Sequence, residues 1–248
     1  MKMSELKVSL LNRRLFCGIV LIFAAVLAVA HPYRAFLTES GGSVEGPAWM
    51  AVFIYGVSSE RTLLFLPLFV PLGAAGDVQE ELKSRYAVFL VSRAGKKNYL
   101  AGKILGAALS GGLTAAAAFA AALAVIVPWC AGIPDLSGQE LQGFLPLLPA
   151  VLCGFLCGFL NGALWALAGS AAAVLTRNHY LGYAVPFILY YVLTVFQERY
   201  YDKFYILSPR QWAYPSYFGA GVCVGILIFL IAAAGLLLMK LTERRLTG

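Results

Sequence analysis

Charged residues are scarce in this chain of 248 residues. Asp, Glu, Lys and Arg make up 12% of the sequence, and hydrophobic residues make up 60%. An ordinary soluble domain is about 25% charged and about 45–50% apolar. The composition therefore excludes an ordinary soluble globular domain and favours a chain whose outer surface faces lipid.

Several patterns of nucleotide-binding and catalytic proteins are also missing. Lys96 follows Gly95, but no Gly lies five residues before Gly95 and no Ser or Thr follows the Lys, so there is no P-loop. Neither H-E-x-x-H nor G-x-S-x-G occurs. We therefore expect no ATP site and no catalytic residues in this chain. If the protein performs active transport, a separate subunit must hydrolyse the ATP.

The five cysteines are few and scattered, and they give no disulfide framework. Cys153 and Cys157 lie four residues apart on one predicted helix and could bind a soft metal ion, but small packing groups are the favoured interpretation. We predict no metal site and no cofactor in this chain.

Six apolar stretches predict an all-α membrane protein that forms a single transmembrane domain over residues 1–248. A helix needs about 20 mostly apolar residues to cross the hydrocarbon layer. The predicted spans are Leu15–Ala30, Thr62–Gly76, Ile104–Val127, Phe144–Leu175, Tyr180–Phe196 and Tyr217–Met239. Ala48–Val57 is interpreted as a helix in the outer interface, the alternative being one long tilted helix that continues into the second span.

The basic residues indicate the orientation of these spans. Fourteen of the 19 Lys and Arg residues fall on the side that would hold both termini. The positive-inside rule makes that side cytoplasmic, which predicts a multi-pass protein of the plasma (inner) membrane. Nucleic acid is not an expected partner, because the charges are spread over four loops or tails. Ala28–Ala30 resembles a signal-peptide cleavage site, but an uncleaved first helix is favoured.

The segment Asp77–Lys103 is the most structured part of the predicted cytoplasmic surface. Val78, Leu82, Tyr86 and Phe89 have helical spacing. Acidic residues precede basic ones, as the helix dipole favours, and Gly95 is a plausible end. We predict one amphipathic helix over residues 77–99, lying between the second and third spans.

Small residues at four-residue spacing predict close helix packing. Gly102 and Gly106 lie on the third span, and Gly154, Gly158 and Gly162 on the fourth. A similar pair, Gly221 and Gly225, lies on the sixth span. These glycines could pack within one chain or between two copies.

The interiors of the spans are almost free of charge, which disfavours an ion-coupled transporter. The notable polar residue at mid-span is Asn161. It could line a substrate path or form a hydrogen bond between helices, and the second role is favoured because Asn161 adjoins Gly162.

Glu80, Glu81 and Arg85 fit E-E-x-x-x-R, which resembles the first motif of the CAAX-type intramembrane proteases. In that family the paired glutamates act with histidines on later helices. Here the one later histidine is His179, without the flanking Phe and Asn of the family. An intramembrane enzyme is therefore an alternative, and a non-transporting membrane scaffold is another.

The order of features along the whole chain resembles a permease of the type-2 ABC exporter superfamily. A basic amphipathic start, Met1–Arg14, precedes the first span. The second span, LLFLPLFVPLGAAG, runs into the acidic start GDVQEE, and the basic stretch SRAGKKNYLAGK leads into the third span. The fifth span leads into an aromatic outer segment, residues 198–216, with Ser208-Pro209.

This resemblance implies a role for each matching segment. The 77–99 helix would be a coupling helix that rests on an ABC ATPase subunit. The implied contact residues are Glu80, Glu81, Lys83, Arg85 and Arg93. The ATPase would bind ATP and Mg²⁺, a second permease copy or a related permease would complete the transporter, and membrane lipid would surround it. The expected activity is export of a hydrophobic or amphipathic substrate such as a peptide, a lipid or a drug.

Overall fold

The computed structural model describes residues 13–39, 47–133, 148–200, 206, 208–212 and 219–247. Most of the Met1–Arg14 segment, the start of the predicted fourth and sixth spans and much of the 198–216 segment lie outside these residues. Within the described part, nine helices and their connections account for the chain, and no strand occurs. The helices are α1 (Arg13–Glu39), α2 (Ala48–Ser58), α3 (Glu60–Phe69), α4 (Asp77–Lys83), α5 (Tyr86–Ala94), α6 (Lys96–Trp129), α7 (Leu148–Thr176), α8 (His179–Tyr200) and α9 (Ala220–Thr247).

Six of these elements are long and apolar enough to cross a membrane. They are α1, the Glu60–Lys83 stretch from α3 to α4, α6, α7, α8 and α9. By length and composition, the described residues therefore confirm the prediction of an all-helical chain with six helices able to cross a membrane. Most of the helices extend beyond the predicted limits, because hydropathy marks the lipid-facing part while backbone hydrogen bonding continues into the polar ends. For example, α6 begins at Lys96, immediately after Gly95, whose φ of +80° separates it from α5.

The segment before the second span is a separate helix, α2. It ends at Ser58, and Ser59 after it has extended backbone angles, so the alternative of one long helix from Ala48 is wrong. Val52 and Phe53 are buried, and α2 packs on α1, α3, α6 and α7. A Cβ on Gly56 would meet Val26 and Ala30 of α1 at 3.3–3.4 Å. One side of the helix therefore packs into the core of the bundle, while Tyr55 is 45% exposed.

The second span loses its α-helical form before it ends. Beyond α3 the chain forms a 3₁₀ turn, Val70–Gly73, with Pro71 near its start. Pro67 lies inside α3. Proline removes a backbone donor and bends a helix, and neighbouring helices make this tolerable in a membrane. This bend directs the chain into α4.

The predicted single helix over residues 77–99 is wrong. The segment forms two short helices, α4 and α5, which are separated at Arg85 by a left-handed backbone conformation with φ of +59°. Val78 is buried, but Tyr86 and Phe89 are 55% and 67% exposed. The predicted apolar face is thus divided, because the left-handed residue at Arg85 ends α4 and starts α5 in a different orientation.

Helix α7 is the centre of the bundle and packs against α6, α8 and α9. Its middle, from Asn161 to Val174, is almost wholly buried. Gly162 contacts Gly111 of α6, and Gly158 lies against the ring of Phe119. A Cβ on Gly169 would lie 2.6 Å from the carbonyl oxygen of Gly182 in α8. Small residues therefore let the backbone of α7 come into contact with those of α6 and α8.

The predicted glycine set matches these contacts only in part. A Cβ on Gly106 or Gly154 would meet nothing within 4 Å, and the same is true of Gly221 and Gly225. Gly102 is partly exposed. The close approach to α7 uses Gly111 and Gly112 instead, which lie on a different side of α6 from Gly106.

Candidate functional site

The charged residues collect at two ends of the bundle. We call "basic end" the end at which Arg14, α4, α5, Lys96, Lys103, Arg177 and Arg245 lie. Contacts between elements tie this end together: Lys96 pairs with Glu243 at 2.7 Å, and the Arg245 guanidinium donates to the Val174 carbonyl at 3.0 Å. Helix α1 begins and α9 ends here. The "opposite end" carries Arg34, Glu60, Glu198 and Arg210.

Glu81 of α4 is fixed to α6 by two hydrogen bonds. Lys103 Nζ lies 2.5 Å from Glu81 Oε1, and the Tyr99 hydroxyl donates to Oε2 at 3.1 Å. The two charged side chains are 22% and 29% exposed. Both carboxylate oxygens are therefore occupied inside the chain, and this acid is a strut between α4 and α6 rather than a free surface charge.

Glu80 links the same helix to α1 and, through Arg14, to α8. Its Oε1 lies 3.5 Å from Arg14 Nη1, which is also 3.5 Å from the Tyr183 hydroxyl. Both partners of the ion pair are about half exposed. This contact is weaker than the one at Glu81, because water and salt screen an exposed pair.

Three of the five residues predicted to contact an ATPase are free for such a contact. Lys83, Arg85 and Arg93 are exposed, and none of them forms an ion pair with the described residues. Lys83 is the last residue of α4 and Arg85 lies in the turn that follows it, and both are exposed. The structure thus separates the predicted set into two anchoring acids and three exposed cations.

A cavity of about 460 Å³ lies beside α4 at the basic end. Gln79, Glu80 and Lys83 line one wall, and the connection from α7 to α8, including Arg177 and His179, lines the other. Glu80 and His179 therefore share a cavity, which is the one geometric feature that favours the protease-like alternative. Glu81, the second acid of that motif, is held by Lys103 and Tyr99.

At the opposite end, Arg210 joins two acids from different helices. Its Nη1 lies 3.1 Å from Glu60 of α3 and also pairs with Glu198 of α8. The segment Ser208–Trp212 is thus attached to α3 and α8. Tyr190 of α8 is buried beside Arg210, and Thr194 places a buried hydroxyl on the same helix without a hydrogen-bond partner in the described part of the chain. We call Glu60, Glu198 and Arg210 the Arg210 cluster.

Asn161 joins α7 to this same segment. It is 2% exposed, and its Nδ2 donates to the carbonyl of Cys157 at 3.1 Å and to that of Trp212 at 3.3 Å. The Trp212 ring stacks on Trp165 with centroids 6.3 Å apart. The geometry favours the structural role of Asn161 over a position in a substrate path.

The described residues offer no metal site: no group of three or more His, Cys, Asp or Glu side chains comes together among them. Cys153 and Cys157 are free thiols. No protein-family model matches the chain, and no curated protein matches it significantly.

Proposed function

We propose that this chain is the membrane-spanning subunit of an ATP-driven exporter of the type-2 ABC kind. Energy would come from a separate ATPase subunit that binds ATP and Mg²⁺ on the cytoplasmic side, which would be the basic end. The cargo would be a hydrophobic or amphipathic molecule, such as a peptide, a lipid or a drug. A second copy of this chain, or a related permease, would complete the path.

One observation carries the proposal. The α4–α5 segment exposes a turn of cations, Lys83 and Arg85, while Glu81 and Glu80 tie α4 to α6 and α1. A partner that pulls on this turn would therefore pull on the first and third spans. Such a connection is what a coupling element needs, because rigid helices that share close contacts move together between a few packed states.

The interior of the bundle is consistent with motion of this kind. α7 meets both α6 and α8 through glycines, so the three helices would move as one central unit. ATP binding would close the ATPase subunits and shift α4 and α5. The central unit would then tilt against the neighbouring permease and open the path outward.

The test is an affinity purification of the tagged chain from mild-detergent membranes, followed by an ATPase assay and identification of the partners. We expect a stoichiometric ATPase to copurify. The double variant Lys83→Glu, Arg85→Asp should lose it, and Asp is chosen at residue 85 because it tolerates the left-handed backbone.

The matched control is Lys97→Glu, Lys240→Glu, which makes the same change of charge at exposed cations outside the α4–α5 turn. This control should retain the ATPase. A chain that purifies alone, under conditions that preserve other membrane complexes, would count against the exporter. A partner that binds without nucleotide-dependent motion would instead favour a scaffold.

The protease-like alternative has the shared cavity of Glu80 and His179 as its support. It predicts peptide-bond cleavage by the purified chain without any ATPase, and loss of that activity in Glu80→Gln. Glu81 provides little help to such a reaction, since Lys103 and Tyr99 occupy both of its oxygens.

A further inference from the structure

The cavity at the basic end is walled by two elements that are distant in sequence. Lys83 of α4 lies on one side, and Thr176, Arg177 and His179 at the α7–α8 connection lie on the other. Its volume of about 460 Å³ lies within the range of cavities that hold small ligands. The cavity is therefore large enough for a polar headgroup.

The charge around this cavity is positive. Lys83 and Arg177 form no ion pair with any described residue. Glu80 is the one acid in the lining, and Arg14 pairs with it at 3.5 Å. Among the described residues, Lys83 and Arg177 thus have no acidic partner. A bound anion would supply the negative charge.

The backbone at Arg177 adds a second argument. This residue has φ of +57°, a left-handed conformation that residues other than glycine rarely adopt. Asn178 then accepts a hydrogen bond from the Tyr180 amide at 3.0 Å and caps the start of α8. The turn brings a guanidinium and the positive end of a 22-residue helix to the same cavity.

Exposed apolar side chains adjoin the cavity-lining residues along the chain. Leu175, Tyr180 and Leu181 are all exposed next to the polar turn. A molecule that is anionic at one end and apolar at the other satisfies both surfaces. Basic pockets between membrane helices on the cytoplasmic side bind anionic phospholipid headgroups in this manner.

We propose that the cavity between Lys83 and Arg177 binds an anionic phosphate group, supplied by the headgroup of a membrane phospholipid whose acyl chains lie along Leu175 and Leu181. The lipid would connect α4 to the α7–α8 turn. This site goes beyond the exporter function and does not depend on it, because the chain alone suffices to bind lipid.

The test is a titration of the purified full-length chain in detergent, with binding followed by the rise in the temperature of unfolding. The probes are dioctanoyl phosphatidylglycerol, dioctanoyl phosphatidylcholine and glycerol 3-phosphate. We expect the anionic lipid to bind more tightly than the other two. Lys83→Gln and Arg177→Asn should each weaken its binding about fivefold, and Asn is chosen because it tolerates the left-handed backbone.

The control is Lys97→Gln, an exposed cation on α6 outside the cavity. It should bind the anionic lipid as the unmodified chain does. Equal binding of the two lipids, or full binding by Lys83→Gln and Arg177→Asn in folded protein, would overturn the proposal. Glycerol 3-phosphate that binds as tightly as the anionic lipid would overturn the lipid source and assign the site to a soluble phosphate compound.

Discussion

Gly111 and Gly162 face each other across α6 and α7 with their backbones in contact. A Cβ on Gly162 would lie 2.9 Å from the carbonyl carbon of Gly111 and 3.0 Å from the Cβ of Ala115. Real Cβ atoms rarely approach backbone so closely, so the helices would have to separate. The contact therefore sets the spacing of the two most extensively packed helices in the bundle.

We expect Gly162→Ala to destabilise the protein. Overpacking a tight core costs about 1–3 kcal/mol, and the better helix propensity of Ala returns up to about 1 kcal/mol. The temperature of unfolding in detergent, followed by tryptophan fluorescence, should fall. The matched control is Gly154→Ala, where a Cβ meets nothing within 4 Å, so its unfolding temperature should stay or rise. If the two variants have the same unfolding temperature, the contact of Gly111 with Gly162 does not set the spacing of α6 and α7.

Asn161→Ala should also lower stability. The change removes the donor that bonds the carbonyl of Trp212 in the Ser208–Trp212 segment. Hydrogen bonds between helices in membranes contribute about 0.6 kcal/mol on average, and we expect a loss of this order. The control is Asn98→Ala, because the Asn98 amide is exposed and donates locally to the carbonyl of Ala94, four residues back at the end of α5. An Asn161→Ala protein that unfolds like the unmodified chain, but transports poorly once reconstituted, would instead assign Asn161 to the substrate path.

The six spans could be predicted because lipid imposes a requirement on each helix separately. About 20 apolar residues are needed to cross the bilayer, and a hydropathy pattern reports that directly. The end of α5 at Gly95 was predictable for a similar reason, since glycine accepts the positive φ that stops a helix. These features depend on local sequence alone.

The break at Arg85 and the partners of Glu81 depend on more than local sequence. The stretch Lys83–Arg85 has no Gly or Pro, so the sequence pattern does not predict a left-handed residue there. The bond from Lys103 to Glu81 joins residues 22 apart in sequence, and it forms because the fold brings α4 beside the start of α6. Gly111 and Gly182 were missed because helix rotation, not spacing, decides which small residues touch.

The ion pair between Glu81 and Lys103 should contribute to stability as a unit. We expect Glu81→Gln and Lys103→Gln each to destabilise the protein, and the double variant to cost less than their sum. The difference, from a double-mutant cycle of unfolding free energies, should be about 1 kcal/mol. The comparison pair is Lys96 and Glu243, which is more exposed and should therefore couple less. Additive effects at Glu81 and Lys103 would mean that this ion pair does not couple α4 to α6.

The Arg210 cluster should hold the segment Ser208–Trp212 against the bundle. Arg210 bonds Glu60 and Glu198, while Cys223 of α9 donates its thiol to the carbonyl of Gln211 at 3.4 Å and is 1% exposed. When Arg210→Gln removes both ion pairs, the segment loses its attachment to α3 and α8. Cys223 should then react faster with a maleimide added from the opposite end.

The measurement uses a chain in which Cys223 is the one remaining cysteine, with the other four replaced by Ala. We expect the labelling rate to rise several-fold in Arg210→Gln. High salt should raise it in the unmodified background, because salt screens exposed ion pairs. The control is Arg61→Gln, since Arg61 is exposed and forms no ion pair with the described residues. A labelling rate that is unchanged in Arg210→Gln would mean that packing of Trp212 on Trp165, rather than the ion pairs, keeps the segment in place.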